Sequence, residues 1–313
     1  MKKVLVTGAG GTVGIPVIKY LIKENVYEIT ALDLKSMRSV RRLKKYKDII
    51  NIIYGDVNDQ RLMNALVASH DVVIHLAGVI PPFADLKQQL SRIVDYEGTK
   101  NIIHSIQEHN PKCYLLYPSS TVVYGGEQDE VNVLNEIVIN VEDNYALIKK
   151  RVEEKISTTV KNYTIFRLPA VFGDLKMEAP MYNIPYSATC ELISVDDAAR
   201  AFVYAINEQK KLNKKIFNVT SGEKFRIKAR TLMIDILQSY GISFRYLITW
   251  LLVDKNYYSH VYSDSDKLDD IICYQQDTYK EYLDKMKVYG NTFNRAIPKL
   301  LAKPIIFILK RKK

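Results

Sequence analysis

Cysteine, tryptophan, histidine and long apolar runs are all scarce in this 313-residue sequence, which has three Cys, one Trp and five His. Cys113, Cys190 and Cys273 stand far apart, with no Cys-x-x-Cys pair. That spacing argues against a disulfide framework or a thiolate metal site and suits a reducing compartment. After Lys2 and Lys3, the apolar run Val4-Leu5-Val6 gives way to glycines, too short for a signal peptide's hydrophobic region. No segment approaches the run of about 18 apolar residues that spans a bilayer, so the expected location is cytoplasmic. His75 has no acidic or histidine neighbour at ligand spacing, and no metal is expected.

Acidic residues are the minority, 35 against 45 basic ones, for a net charge of +10. Such a balance suits anionic small molecules, acidic lipid surfaces or nucleic acid. The densest basic run, Arg38-Ser39-Val40-Arg41-Arg42-Leu43-Lys44-Lys45, reads as a solvated helix or loop, and no nucleic-acid partner is expected. Apolar residues, at 47%, suffice for a sizeable core in one large domain with a small appendage.

Short apolar runs alternate with longer amphipathic ones through the first half. Strands are expected at Lys3–Thr7, Glu28–Leu32, Ile49–Tyr54, Asp71–Leu76, Cys113–Tyr117, Tyr163–Arg167 and Ile216–Val219. Helices are expected at Thr12–Lys23, Asp59–Ser69, Ile93–His109, Asn144–Thr159 and within Ile193–Ala205. Continuous rather than alternating apolar character marks strands covered on both faces. The pattern therefore predicts an α/β fold, a doubly wound parallel Rossmann sheet with binding groups at the strands' carboxyl ends. The expected domain comprises residues 1–173 plus 193–222, and a small C-terminal substrate-binding lobe takes 174–192 plus 223–313.

Between the first strand and helix lies Thr7-Gly8-Ala9-Gly10-Gly11-Thr12-Val13-Gly14. In such a turn Gly8 permits the tight bend, Gly11 lets backbone approach a pyrophosphate, and Gly14 brings helix close to strand. The helix N-terminus then offers free N–H groups to phosphate. Asp33 ends the second strand, where a carboxylate bonds the adenosine ribose hydroxyls and repels a 2′-phosphate. Lys35 and Arg38 partly offset that repulsion, so NAD is favoured and NADP is the alternative.

Tyr145 and Lys149 share one helix face at i, i+4 spacing, where an ammonium favours a phenolate and makes the tyrosine an acid/base. With 22 tyrosines in the chain, that pair alone is weak. Upstream stands Pro118-Ser119-Ser120-Thr121-Val122-Val123-Tyr124-Gly125, whose hydroxyls lie at a strand end within reach of a substrate oxygen.

Taken in order, these stretches resemble the extended short-chain dehydrogenase/reductases, the NAD-dependent epimerase/dehydratase superfamily. The resemblance covers residues 1–222 and includes Gly55-Asp56-Val57, His75-Leu76-Ala77-Gly78, Gly98-Thr99-x-Asn101, Arg167-x-Pro169 and Val195-Asp196-Asp197-x-Ala199. It implies Tyr145 as acid/base, Lys149 as its partner and a contact of the nicotinamide ribose, and Ser120 as the third catalytic residue, ahead of Ser119 or Thr121. Gly8, Gly11, Thr12, Val13, Gly14, Asp33, Asp56, Val57, Leu76, Ala77, Gly78 and Pro169 would line the cofactor.

The implied activity is that of an NAD(P)-dependent epimerase or ketoreductase on a carbohydrate-like substrate, with nucleotide sugars as the family default. A homodimer through the helices carrying Gly98–His109 and Tyr145–Thr159 is also implied. The alternative is a non-catalytic NAD(P)-binding scaffold, membrane-associated through Lys303–Leu309 and the four cations that follow.

Departures from the family pattern bear on substrate, among them Ala170 where many members carry the asparagine of an Arg-x-x-Asn stretch. Thr121-Val122 follows Ser120 where dehydratases carry Asp-Glu, Asp95 replaces the usual asparagine before Gly-Thr, and Glu191 stands where epimerases often carry a basic residue. Lys224, Arg226, Lys228 and Arg230 offer compensating charge.

Overall fold

The computed structural model describes residues 1–81, 83–126, 130–135, 137, 139, 143–173, 187–239 and 260–285. Its centre is a seven-stranded sheet. The strands are β1 (Lys2–Thr7), β2 (Tyr27–Asp33), β3 (Asn51–Tyr54), β4 (Val72–His75), β5 (Tyr114–Ser120), β6 (Tyr163–Leu168) and β7 (Lys215–Asn218). They lie in the order β7-β6-β5-β4-β1-β2-β3, every pair parallel. The doubly wound architecture expected from the alternation is thus present, and its strand order reverses between β1 and β4.

The pleat explains the continuous apolar runs. In β1, Val4 and Val6 join the core on one face with Val17, Ile18 and Leu21 of α1 (Gly14–Glu24). Leu5 joins the opposite core, against Met63, Leu66 and Val67 of α2 (Gln60–Ala68). Ile102, Ile103 and Ile106 of α3 (Gly98–His109) and Ile148, Val152 and Ile156 of α4 (Asn144–Thr159) complete that second face. Ala198, Phe202 and Val203 of α5 (Val195–Ala205) complete the first. Side chains of alternate residues point to opposite faces, so a strand covered on both sides must be apolar throughout.

Local chemistry sets the boundaries. Asp59 caps α2 by accepting from the Arg61 and Leu62 N–H groups, and Asp143 caps α4 by accepting from Ala146. Two expected helices differ from the observed ones. The first begins at Gly14, because Thr12 and Val13 belong to the turn. The one expected over Ile93–His109 is a π-helix at Arg92–Glu97 followed by α3.

Beyond the sheet, Thr189–Glu191 pairs antiparallel with Arg226–Lys228. Phe172, Cys190, Leu192, Phe225, Ile227 and Tyr282 form a separate buried cluster there. Residues 174–186, 240–259 and 286–313 of the lobe expected from sequence, the basic apolar tail included, lie outside the described residues. No helix among the described residues is long and apolar enough to cross a membrane.

Candidate active site

The glycine turn leaves β1 beside the point where the strand order reverses. Gly8 has φ +65°, and a Cβ on it would lie 2.6 Å from the Ala77 nitrogen. Gly14 meets the turn's own carbonyls: a Cβ there would lie 2.6 Å from the Ala9 oxygen. Both positions therefore exclude any side chain, which holds the start of α1 close against β1. The Gly11 N–H donates to the Gly8 carbonyl at 2.9 Å and closes the turn. Thr12 and Val13 sit half-buried at the entrance to α1.

Asp33 lies at the end of β2 and accepts from the Gly10 N–H at 2.7 Å, so its carboxylate is tied to the turn. Burial raises its pKa, while the Gly10 and Leu34 N–H groups and Arg38 and Arg42 pull it back. Past β3, Asp56 accepts from the Asn58 N–H and side chain at 2.9 Å, and Val57 is buried against Gly98. Past β4, the Leu76 N–H donates to the Thr7 carbonyl and the Ala77 N–H to the Thr7 hydroxyl, placing Leu76, Ala77 and Gly78 beside the turn. Pro169, half-buried, follows β6. These residues lie at the carboxyl ends of parallel strands. A backbone-lined turn with a carboxylate at the end of the next strand fits a dinucleotide's pyrophosphate and ribose.

Ser120, Tyr145 and Lys149 meet at the same end of the sheet. Ser120 closes β5 and hydrogen-bonds the Tyr145 phenol. Thr121 is buried and bonded to Tyr262, while Ser119 is buried with its hydroxyl unpartnered among the described residues. The Lys149 ammonium donates to the Pro118 carbonyl at 3.1 Å and the Tyr117 hydroxyl at 3.3 Å. It also faces the Asp95 carboxylate at 3.7 Å, with both side chains buried.

The sequence led to an expectation of a phenol lowered by its lysine; the structure reverses the direction. Burial pushes the Tyr145 phenol well above the usual tyrosine value, the Asp95 carboxylate adds to that, and the Ser120 hydrogen bond opposes it. Lys149 itself is lowered by burial and held up by Asp95. A lysine paired with a carboxylate presents little net charge to its neighbour.

Two further groups, unmarked as site residues by sequence, hold the arrangement. Arg167 in β6 grips Glu153, one turn beyond Lys149, through two hydrogen bonds at 3.0 and 2.7 Å. Its remaining amino group donates to Tyr124 at 2.9 Å, and Tyr124 donates to Asn218 in β7. The pair pins α4 to the sheet, which gives the Arg-x-Pro stretch a structural part here. His75, wholly buried between the Thr7 and Thr99 hydroxyls, is held neutral, with its pKa lowered to about 3 by burial and by Lys149. Among the described residues no cluster of His, Cys, Asp and Glu could hold a metal ion.

Glu191 is buried and accepts from the Thr220 hydroxyl and from the Arg226 guanidinium at 2.8 Å. Arg226 is therefore committed to a neighbouring carboxylate, and the compensating charge expected from it is already used.

Residues 5–221 match the 3-beta hydroxysteroid dehydrogenase/isomerase family. The chain belongs to this family. It is accordingly of the extended short-chain dehydrogenase/reductase type that the motifs resemble. Relatives in this family include the 3-beta-hydroxysteroid dehydrogenase of Mycolicibacterium neoaurum, 30% identical over 42% of this chain and 35% of the relative. The mouse 3 beta-hydroxysteroid dehydrogenase type 7 is 29% identical over 39% of this chain and 33% of its own length. The matched part thus spans about a third of these curated relatives. In three dimensions the chain is similar to the UDP-glucuronic acid 4-epimerase of Bacillus cereus, solved with UDP-glucuronic acid and NAD. That likeness has a TM-score of 0.76 at 16% identity and covers 93% of this chain and 99% of the epimerase.

Proposed function

We propose that this chain is an NAD-dependent epimerase or ketoreductase acting on a secondary alcohol or ketone of a carbohydrate-like substrate. The observation that carries this reading is the convergence of Ser120, Tyr145 and Lys149 beside the glycine turn and Asp33. NAD, when bound, supplies the hydride acceptor and donor. Gly8, Gly11, Thr12, Val13 and Gly14 would hold its pyrophosphate, with Asp33 at the adenosine ribose. Asp56, Val57, Leu76, Ala77, Gly78 and Pro169 would line the remainder, and NADP is the weaker candidate. Tyr145 takes the proton from the substrate hydroxyl, or returns it to the carbonyl oxygen, while Ser120 hydrogen-bonds that same oxygen. Lys149, one turn along α4, would contact the nicotinamide ribose, and its ammonium offsets the Asp95 carboxylate that opposes ionisation of the phenol.

Nucleotide sugars are the first substrate class to test, since a similar epimerase was solved with UDP-glucuronic acid. Family membership makes 3β-hydroxysteroids the second. We also propose a homodimer through α3 and α4, with light scattering at twice the chain mass as its test. A cytoplasmic setting accords with three cysteines that form no disulfide with one another.

The decisive experiment follows NAD reduction on a panel of nucleotide sugars and hydroxysteroids, and epimer formation by chromatography, with wild type and Tyr145→Phe. The variant is expected to lose turnover by about 10²–10⁴-fold while still binding NAD. Unchanged turnover would remove Tyr145 from the chemistry.

A further inference from the structure

We propose that Asp95 is a positioning residue of this site, a counter-ion that sets the pH at which the Tyr145–Lys149 pair gives up its first proton. The proposal rests on the acid/base reading of Tyr145 above.

Asp95 belongs to the π-helix Arg92–Glu97, not to α3. A π turn carries an extra residue relative to an α turn, which re-aims a side chain, and such turns gather at functional sites. Here the carboxylate is aimed inward and its side chain is 1% exposed. It takes the Val79 N–H at 3.1 Å and the Ser91 hydroxyl at 3.0 Å, and faces the Lys149 ammonium at 3.7 Å. Gly78 leaves it room, since a Cβ there would lie 2.7 Å from the carboxylate oxygen. One side chain thus joins the Ala77–Val79 segment of the proposed cofactor wall to the lysine of the proposed catalytic pair.

The surrounding charges single it out. On β4, His75 is held neutral. On β5, Tyr117 accepts from Lys149 as an uncharged hydroxyl. Glu153, further along α4, is engaged by Arg167 through two hydrogen bonds. Asp85 and Asp143 also bear on Tyr145, but Asp85 is exposed and Asp143 half-buried, whereas Asp95 is buried. Asp95 is therefore the carboxylate that both faces Lys149 and weighs most on the phenol.

An asparagine, the residue usual at this position in the resembled superfamily, can keep the shape. Its carbonyl oxygen can face Lys149 and Val79, and its amide can donate to Ser91. Only the charge leaves. The uncompensated ammonium then makes the first proton of the coupled pair leave more readily, from whichever member carries it.

The test titrates NAD into wild type, Asp95→Asn, Asp95→Ala and Tyr145→Phe by calorimetry from pH 6 to 10. Using buffers of different ionisation enthalpy measures the protons released on binding. The midpoint of release is expected to move to lower pH by roughly one unit in both Asp95 variants. A midpoint unchanged in every folded Asp95 variant overturns the proposal. If Tyr145→Phe releases protons as wild type does, the acid/base reading of Tyr145 fails, while the Asp95 midpoint still decides the counter-ion role. Absence of NAD binding by wild type would refute the proposed function itself and the Asp95 role with it.

Discussion

Glu153→Leu tests how firmly α4 is pinned to the sheet. The Arg167 and Glu153 side chains are 3% and 5% exposed and form a two-point pair, with N–O distances of 3.0 and 2.7 Å. Removing Glu153 alone leaves the guanidinium buried with Tyr124 as its remaining side-chain acceptor among the described residues, and breaking such a pair costs about 3–5 kcal/mol. With a melting shift of roughly 2–4 °C per kcal/mol for large domains, Tm should fall by about 10 °C. Exchanging both partners, in Glu153→Leu with Arg167→Met, removes the charge and the desolvation penalty together. The double variant then lacks mainly the hydrogen bond to Tyr124, worth about 1 kcal/mol, and Tyr124 keeps its bond to Asn218. The double variant should therefore melt above the single one. Urea unfolding followed by circular dichroism gives both values. A loss under about 1 kcal/mol in the single variant, or a double variant less stable than the single, would refute the claim that an uncompensated charge dominates.

Two other outcomes follow from the same geometry. His75 stays neutral when folded, with its pKa lowered to about 3, whereas the unfolded chain protonates it below its ordinary value of 6.5. The unfolded state therefore binds the extra proton as pH falls from about 6.5 toward 3, and stability drops with it, by about 1.6 kcal/mol between pH 6.5 and 5. Urea midpoints at those two pH values should fall less in His75→Gln, and an equal fall would contradict this. Gly14→Ala forces α1 away from the turn, since a Cβ there would lie 2.6 Å from the Ala9 oxygen. NAD affinity should weaken by at least about tenfold, or 1.4 kcal/mol, measured by calorimetry; an unchanged Kd would contradict the phosphate role of the turn.

Strands covered on both faces announce themselves, because every residue from Val4 to Val6 must enter one core or the other. The glycine turn was legible for a similar reason: backbone meets backbone at Gly8 and Gly14, and no other residue type satisfies that contact. Helix α4 was legible from the shared face of Tyr145 and Lys149, whereas its cap at Asp143 shows only in the structure. The π-helix was not legible, since its pattern of apolar residues differs too little from that of α3, which continues it. Asp95 could be noticed only as a departure from a pattern; that it faces Lys149 depends on the π turn and on its approach to Gly78.

The same limit applies to charge. Glu191 in the sequence looked like an acid where a base was wanted, and Arg226 like a base free to replace it; folded, each cancels the other. Lys149 likewise looked like the cation that would lower Tyr145, and Asp95 balances it. Spacing along a chain places a charge on an element, but its effect depends on the partner brought to it from elsewhere. Here those partners are Asp95, which faces Lys149, and Arg167, which pairs with Glu153 of α4. Burial, with Asp95 added to it, raises the Tyr145 phenol, whatever the spacing to Lys149 suggested.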